Sequence, residues 1–114
     1  MEDCIFCKIL KGESPSEKVY EDDKVYAFKD IHPEAPVHIL IIPKVHINSV
    51  NFLTKENKHI IGDVYYAAKK IAEGLGVSET GYRIVNNCGE DGGQTVAHIH
   101  FHLIGGRKLN WPPC

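Results

Sequence analysis

Three histidines occupy alternate positions in the segment AHIHFHLIGG, which spans residues 97–106. Successive side chains of an extended strand point to opposite faces, so His98, His100 and His102 would share one face. The apolar residues between them would share the other face and anchor the histidine row to a hydrophobic core. The pattern therefore predicts a half-buried strand that presents several imidazoles together.

The length and charge of the chain restrict what it can be. Its 114 residues fit a single domain, 1–114, that buries a core without disulfide staples. Charged residues make up 25% of the chain and its formal net charge is −2, which argues against a nucleic-acid partner. The N-terminal run MEDCIFCKILKGES matches neither a signal peptide nor a membrane span. We therefore expect a cytoplasmic protein with no membrane partner.

The spacing of apolar residues predicts an α+β fold. We expect a mostly antiparallel five-stranded sheet, with one long helix packed on one face and a short N-terminal helix. In chain order, the predicted elements are a helix within 4–12, a hairpin over 18–30 that turns at Asp22–Asp23, a strand over 36–44, a helix over 54–76, and strands over 81–89 and 96–105. Thr54 is the expected N-cap of the long helix, and Gly76 is expected just past its end. The predicted buried face of that helix contains Ile60, Ile61, Val64, Ala67, Ala68, Ile71 and Leu75.

Two kinds of chemistry fit the histidine row, because a core cannot easily satisfy six ring nitrogens in one strip. One is a zinc site, in which Cys4 and Cys7 supply thiolates and His98 or His46 completes the tetrahedron. The other is nucleophilic catalysis, in which a neutral imidazole attacks phosphorus and carries the group covalently. The two chemistries are compatible if they use different histidines.

A glycine-rich stretch, NCGEDGGQTVAH, immediately precedes and enters the histidine row. Its glycines allow backbone N–H groups to approach a ligand closely, and Gln94 and Thr95 add side-chain donors. A phosphate group could be bound there, although such a turn between two strands is in general only a hairpin connection.

The segment HIHFHLI fits the His-x-His-x-His-x-x signature, with apolar x, of the histidine triad superfamily. The blocks IFCKI, FKDIHPEAPVHILIIPK, GYRIVNN, DGGQTVAHIHFHLIGGR and NWPP follow in the order found in its Hint branch, the purine nucleoside phosphoramidases. The chain therefore resembles that branch over nearly its whole length. The resemblance implies an α+β homodimer whose sheets join across the interface. It also implies cleavage of the P–N bond of purine nucleoside 5′-phosphoramidates and hydrolysis of aminoacyl-adenylates.

The resemblance also implies roles for individual residues. His100 would be the nucleophile, His102 would hydrogen-bond the phosphate and the leaving group, and His38 would support the row. The nucleotide-binding residues would be Ile5, Phe6, Ile9, Phe28 and Ile31 around the purine, Asp30 at the ribose, Asn87, Gly93, Gln94 and Thr95 at the phosphate, and Trp111 near the leaving group. For Asp30 and the apolar residues, a solvated strand end and plain core packing are the alternatives.

Cys4 and Cys7 distinguish the chain from animal Hint proteins, which have lost this pair. Related bacterial proteins use two such cysteines with two histidines to hold structural zinc. The resemblance therefore implies a zinc site made by Cys4, Cys7, His46 and His98. A disulfide between Cys4 and Cys7 is the weaker alternative, because the chain is expected in a reducing compartment.

Two other functions remain open from the sequence. One is a Fhit-like dinucleoside polyphosphate hydrolase, against which the C-terminal GGRKLNWPP argues. The other is a zinc-stabilised protein that only binds purine nucleotides or acts as a scaffold. The complete triad argues against the second, since a binder has no need of an attacking imidazole.

Overall fold

A computed structural model describes residues 3–113 of the chain. In chain order its elements are α1 (Ile5–Leu10), β1 (Lys18–Glu21), β2 (Val25–Lys29), β3 (Val37–Pro43), a 3-10 turn (Val50–Phe52), α2 (His59–Gly74), β4 (Tyr82–Asn86) and β5 (Phe101–Gly105). The strands form one sheet in the order β1-β2-β3-β5-β4, and every neighbouring pair is antiparallel. The predicted α+β fold, with its five-stranded sheet and two helices of unequal length, is confirmed. Within this range, neither helix is long and apolar enough to cross a bilayer.

The β1–β2 hairpin turns at the predicted aspartate pair. Asp22 Oδ1 accepts hydrogen bonds of 2.8 Å from the backbone N–H groups of both Lys24 and Val25. The hydroxyl of Tyr20 donates to the other carboxylate oxygen at 2.8 Å. An aspartate side chain that binds the backbone two or three residues ahead fixes a tight turn, which explains why the chain reverses here.

The long helix packs its apolar face against the sheet, as the spacing predicts. Its buried residues are Ile60, Val64, Ala67, Ala68, Ile71 and Ala72, and they join side chains of β2, β3 and β5 in the main core. Two details of the prediction are wrong. The helix begins at His59, because Thr54 closes a separate turn in which its Oγ1 accepts from the Asn57 N–H at 3.2 Å. Leu75 lies beyond the last turn and is 40% exposed, whereas Gly76 follows the helix with φ +76° as expected.

The last strand is shorter than predicted. It begins at Phe101, not at residue 96, because the residues before it leave the ladder: the Ile99 N–H donates to the Ile47 carbonyl at 2.6 Å. β4 likewise ends at Asn86 rather than at residue 89, and the Asn86 side chain binds the His100 carbonyl where the ladder would continue. Only His102 of the three histidines therefore lies inside a regular strand. The apolar residues between them are buried in the main core, as the alternation predicts.

A second, smaller core lies on the sheet face opposite α2. Helix α1 covers this face, and Phe6 packs against Phe28 of β2 with ring centroids 5.8 Å apart. Cys4 and Ile42 complete the buried part of the cluster. This core matters for function because α1 carries both cysteines of the expected metal set to the residues that precede β5.

Candidate active site and metal cluster

Two sulfurs and two ring nitrogens converge where α1 meets the segment before β5. Cys4 Sγ lies 3.3 Å from His98 Nδ1, and Cys7 Sγ lies 3.3 Å from His46 Nδ1. Cys7 Sγ is also 3.7 Å from His98 Nδ1, and all four atoms lie within 4.8 Å of one another. A tetrahedral zinc ion places sulfur and nitrogen ligands about 3.6 Å apart. The structure thus brings together the four residues implied by the resemblance, at separations that suit zinc.

Hydrogen bonds at Nε2 of His98 and His46 determine the tautomers of the two rings, and so the protonation of the Nδ1 atoms that face the sulfurs. His98 Nε2 lies 3.1 Å from the Pro43 carbonyl oxygen, and His46 Nε2 lies 2.8 Å from Asn48 Oδ1. Both oxygens only accept hydrogen bonds, so both Nε2 atoms carry the proton and donate it. Each Nδ1 therefore presents a lone pair to the cluster, as a metal-binding histidine does.

The protonation preferences of the cluster also favour a bound cation. Burial and the neighbouring Cys4 sulfur raise the pKa of the Cys7 thiol, and a bound cation would favour its thiolate form. Burial lowers the pKa of His98 to about 4, which keeps its ring neutral and able to coordinate. Two sulfurs with two neutral imidazoles form a donor set that zinc prefers.

His100 lies next to this cluster in a fixed orientation. Its Nδ1 is 2.8 Å from the backbone carbonyl oxygen of His98, and a carbonyl can only accept, so Nδ1 carries the proton. The lone pair is therefore on Nε2, which has no hydrogen-bond partner among residues 3–113. Burial lowers the pKa of His100, so the ring is uncharged at neutral pH. A neutral ring held through one nitrogen with the other free is the arrangement that nucleophilic attack requires.

Asn86 is a functional candidate that the sequence analysis missed. Its Nδ2 donates to the His100 backbone carbonyl at 2.9 Å, which fixes the backbone that carries the candidate nucleophile. The ring of Phe6 also packs edge-on against the His100 ring, with centroids 5.1 Å apart. The sequence signal for Asn86 is an asparagine at the end of a predicted strand, and Asn87 next to it carries the same signal.

A chain of hydrogen bonds sets the protonation of the two other catalytic candidates. The Glu34 backbone N–H donates to His38 Nδ1 at 3.0 Å, so the proton of the neutral His38 ring is on Nε2. His38 Nε2 lies 2.9 Å from His102 Nδ1 and 3.4 Å from Asp30 Oδ2. His38 therefore donates to His102, and the remaining proton of His102 is on its Nε2. Burial lowers the pKa of His102 to about 4, so it too is neutral near pH 7.

Asp30, His38 and His102 are close enough to form a second metal-binding group. Their protonation argues against that use. A metal ion on His38 Nε2 would displace the proton that the Glu34 contact places there. The hydrogen-bond chain accounts for all three residues without an ion, and it leaves His102 Nε2 as a hydrogen-bond donor on the same row as the His100 lone pair.

The residues expected around a purine divide into two groups. Phe6 and Phe28 are buried and Ile9 is half-buried in the smaller core beside His100. Ile5 and Ile31 are 42% and 86% exposed, which leaves their apolar surfaces available for contact with a ligand. Asp30 is half-buried at the end of β2, and its other carboxylate oxygen accepts from the His32 N–H at 2.8 Å.

The glycine-rich loop is held together mainly by its own amides. Asn87 Nδ2 donates to the Gly92 carbonyl at 2.7 Å. Gln94 donates both amide hydrogens to backbone carbonyls, one of Asn48 at 2.7 Å and one of Val96 at 2.9 Å. Gln94 therefore fixes the shape of the loop and has no side-chain N–H left for a phosphate. Gly93 has φ +82°, a conformation that favours glycine.

Part of the same loop also lines a surface cavity of about 610 Å³, whose lining includes Gly93, Thr95 and Phe52. Among the described residues, the lining of this cavity includes no histidine. The cavity therefore borders the loop and not the histidine rings.

Trp111 lies beside β4, the outer strand of the sheet. It is 81% exposed, and the Arg83 guanidinium of β4 lies 6.0 Å from the centre of its ring. Arg83 also donates to the Asn110 carbonyl at 2.9 Å, which holds the tail against the outer strand of the sheet. An exposed tryptophan anchored in this way is free to contact a ligand or a second chain.

Comparison with known proteins finds relatives that are named as zinc-binding proteins and relatives that are named as purine nucleoside phosphoramidases. A 14 kDa zinc-binding protein of Brassica juncea is 54% identical over 113 residues, covering 97% of this chain and 99% of the relative. The purine nucleoside phosphoramidase of Escherichia coli strain K12 is 51% identical over 108 residues, covering 95% of this chain and 91% of the relative.

Solved structures agree with these sequences. A HIT family hydrolase from Legionella pneumophila Philadelphia 1 has a TM-score of 0.96 and 48% identity, covering 98% of this chain and 100% of that chain. A histidine triad protein from Clostridium difficile has a TM-score of 0.94 and 49% identity, covering 96% of each chain. The HIT domain family matches residues 11–109. On this evidence the chain belongs to the HIT domain family.

Proposed function

We propose that this HIT family hydrolase cleaves the P–N bond of purine nucleoside 5′-phosphoramidates, and also hydrolyses aminoacyl-adenylates, through a nucleotide bound covalently to His100. The observation that carries the proposal is the 2.8 Å contact from His100 Nδ1 to the His98 carbonyl, which leaves the Nε2 lone pair free. The 51% identity to a purine nucleoside phosphoramidase supports the choice of substrate class.

The reaction proceeds in two displacements. In the first, His100 Nε2 forms a bond to phosphorus and the P–N bond breaks, and the departing nitrogen keeps its electron pair and takes up one proton. The charge that develops on the His100 ring is stabilised by the His98 carbonyl, which the Nδ1 proton already contacts. In the second, water attacks phosphorus, the bond to Nε2 breaks and one proton is released. From a phosphoramidate the products are an amine and a purine nucleoside 5′-monophosphate of the AMP or GMP type. From an aminoacyl-adenylate, the P–O bond to the carboxylate breaks instead, and the products are an amino acid and AMP.

His102 and His38 act together in this proposal. The hydrogen-bond chain leaves an N–H on His102 Nε2, which hydrogen-bonds a phosphate oxygen and the leaving group. The proton taken up by the departing nitrogen comes from water, because a neutral imidazole that gave up its remaining N–H would become an imidazolate anion. His38 keeps that proton in place, because its own Nε2–H occupies His102 Nδ1.

The nucleoside binds beside the row. The purine contacts the apolar residues Ile5, Phe6, Ile9, Phe28 and Ile31. Asp30 accepts hydrogen bonds from the ribose hydroxyls, and a carboxylate anchored by the His32 N–H is oriented for that role. Adenine and guanine both suit an apolar slot.

The phosphate binds against the glycine-rich loop. Asn87, Gly93 and Thr95 contact it, and Gln94 contributes by holding the loop, because both of its amide hydrogens are used within the protein. Trp111 contacts the leaving group. Its exposure and the anchoring of the tail by Arg83 support that assignment.

Zinc bound by Cys4, Cys7, His46 and His98 has a structural role. When bound, it supplies a fixed tetrahedral centre that ties α1 to the segment before β5. Cys4, the N-cap of α1, also accepts from the Cys7 N–H at 3.3 Å. Two thiolate ligands suit a reducing compartment such as the cytoplasm.

The functional unit is a homodimer of single-domain chains, 1–114. The order of the sheet leaves β4 as an edge strand, and an edge strand is available for pairing with a second copy. The anchored tail that carries Trp111 lies against this same strand. Both features support an interface there.

The comparison of two substrates tests the proposal. Purified protein is incubated with adenosine phosphoramidate and, separately, with diadenosine triphosphate, and release of AMP is followed. We expect faster turnover of the phosphoramidate. Faster turnover of diadenosine triphosphate would favour the Fhit-like function, and nucleotide binding without turnover of either would favour a binding or scaffold protein.

A further inference from the structure

The residues that follow β5 contact the proline-rich loop that precedes β3. Arg107 donates from one guanidinium nitrogen to the Glu34 carbonyl at 3.0 Å and from another to the Lys108 carbonyl at 3.1 Å. Its neighbour Gly106 has φ +90°, and a Cβ there would come within 2.9 Å of Pro36 Cβ. The loop and the end of the strand are therefore in close contact at this point.

Glu34 also contacts His38, the histidine of β3 that hydrogen-bonds His102. Its backbone N–H donates to His38 Nδ1 at 3.0 Å, and this bond, together with the Asp30 Oδ2 atom 3.4 Å from His38 Nε2, keeps the His38 proton on Nε2. His38 Nε2 in turn contacts His102 Nδ1 at 2.9 Å. The two backbone groups of Glu34 thus connect the Arg107 guanidinium to the proton positions of His38 and His102.

The loop has few other restraints that would hold Glu34 in this position. Pro33 and Pro36 have no backbone N–H to donate. Ile31 is 86% exposed, and residues 32–34 are exposed as well. A segment with so little burial depends on its hydrogen bonds. The His32 N–H donates to Asp30 Oδ1 at 2.8 Å and the Asp30 N–H donates to the His38 carbonyl at 3.1 Å, while Arg107 supplies the contact on the Glu34 carbonyl.

We propose that Arg107 is a positioning residue. By holding the Glu34 carbonyl, it keeps the Glu34 N–H on His38 Nδ1, and so maintains the tautomers of His38 and His102 that leave a donor proton on His102 Nε2. This inference rests on the proposed function for its effect on turnover. Its effect on the histidine tautomers is independent of any substrate.

The test compares three variants with the natural chain. Arg107→Met removes the guanidinium and retains the aliphatic stem, and Arg107→Lys keeps the charge and a donor. Lys108→Met is the matched control, since it removes one positive charge from the next exposed position. Melting temperature and zinc content establish that each variant is folded.

The first readout is the protonation of the ring nitrogens, measured at pH 7.5 by nitrogen-15 NMR without substrate. We expect His38 as a single Nε2–H tautomer in the natural chain, in Arg107→Lys and in Lys108→Met. We expect a mixture of the two tautomers in Arg107→Met.

The second readout is hydrolysis of adenosine phosphoramidate. We expect kcat of Arg107→Met to fall about two- to tenfold, the range for one solvent-accessible hydrogen bond, with KM changed less than twofold. Arg107→Lys should retain at least half of the natural kcat. An unchanged His38 tautomer in Arg107→Met would overturn the proposal, whether or not kcat falls. If the natural chain fails to hydrolyse the phosphoramidate, the proposed function is wrong, while the NMR result still decides the role of Arg107.

Discussion

The ring of His100 donates to the backbone carbonyl of His98 across 2.8 Å, while the ring of His98 faces the two cysteines. One residue therefore serves the metal cluster through its side chain and the candidate nucleophile through its backbone. Immobilising the His98 ring also immobilises the carbonyl that orients His100. In the proposed mechanism, this link lets a structural metal support the orientation of His100 without taking part in the reaction.

Replacement of the nucleophile should separate turnover from binding. His100→Asn removes the attacking lone pair, and we expect hydrolysis of adenosine phosphoramidate to fall by at least about 10³-fold, as for loss of a covalent catalyst. AMP binding, measured by calorimetry, should change little. His59→Asn, at an exposed position on α2, is the control and should behave like the natural chain. Hydrolysis that survives in His100→Asn would show that the nucleophile is misassigned.

Removal of one thiolate should remove the metal. We expect about one zinc per chain in protein purified without added metal, and much less in Cys4→Ser or Cys7→Ser, because zinc needs all four ligands for a closed site. Both variants should melt at lower temperature. Elemental analysis measures the zinc content, and thermal denaturation measures the melting temperature. Cys88→Ser is the control, because Cys88 lies outside the cluster, and this variant should keep its zinc. Cys4→Ser protein that retains a full zinc equivalent would contradict the assigned ligand set.

Loss of the amide at position 86 should affect both rate and stability. Asn86→Asp keeps the shape of the side chain but replaces the donor that binds the His100 carbonyl with an acceptor. We expect unfolding in urea to show a loss of about 1 kcal/mol or more, and kcat to fall more than KM rises. Asn51→Asp, at an exposed position, controls for the added charge. Equal kcat values for the natural chain and Asn86→Asp would show that Asn86 does not position His100.

The stability of the fold should depend on pH through His102. Burial and the nearby rings of His100 and His38 lower its pKa to about 4, whereas the Asp30 carboxylate acts in the opposite direction. The unfolded chain binds a proton at this residue below about pH 6.5 and the folded chain does not, so stability falls as the pH drops from about 6.5 to about 4.

His102→Gln isolates this contribution, because glutamine does not titrate and every other titratable side chain is still present in the variant. Denaturation curves at intervals between pH 7 and 4 should show a shallower loss of stability in the variant than in the natural chain. Parallel pH profiles would mean that His102 is not held neutral in the folded state.

The fold class could be predicted from the sequence because apolar residues recur with the spacing of a strand or of a helix. Alternating apolar residues predicted the buried face of β5, and helical spacing predicted the core face of α2. The start of β5 was wrong because the bond from Ile99 N–H to the Ile47 carbonyl depends on a loop distant in the chain, which no local pattern reports.

The candidate site was predictable only where residue types carry the chemistry. The cysteines and histidines of the metal set and the triad can be identified from their side chains and from the resemblance. Asn86, Glu34 and Arg107 act on or through backbone carbonyls and N–H groups, which every residue possesses, so only the folded chain reveals them.

Trapping the reaction intermediate tests the central claim most directly. The protein is mixed with adenosine phosphoramidate, quenched within one turnover at alkaline pH, and digested with trypsin. The peptide spanning residues 84–107, which contains all three histidines of the row, is then fragmented in a mass spectrometer. We predict adenylate attached to His100. Adenylate attached to another residue, or ammonia released with no attached nucleotide at any time, would contradict the mechanism.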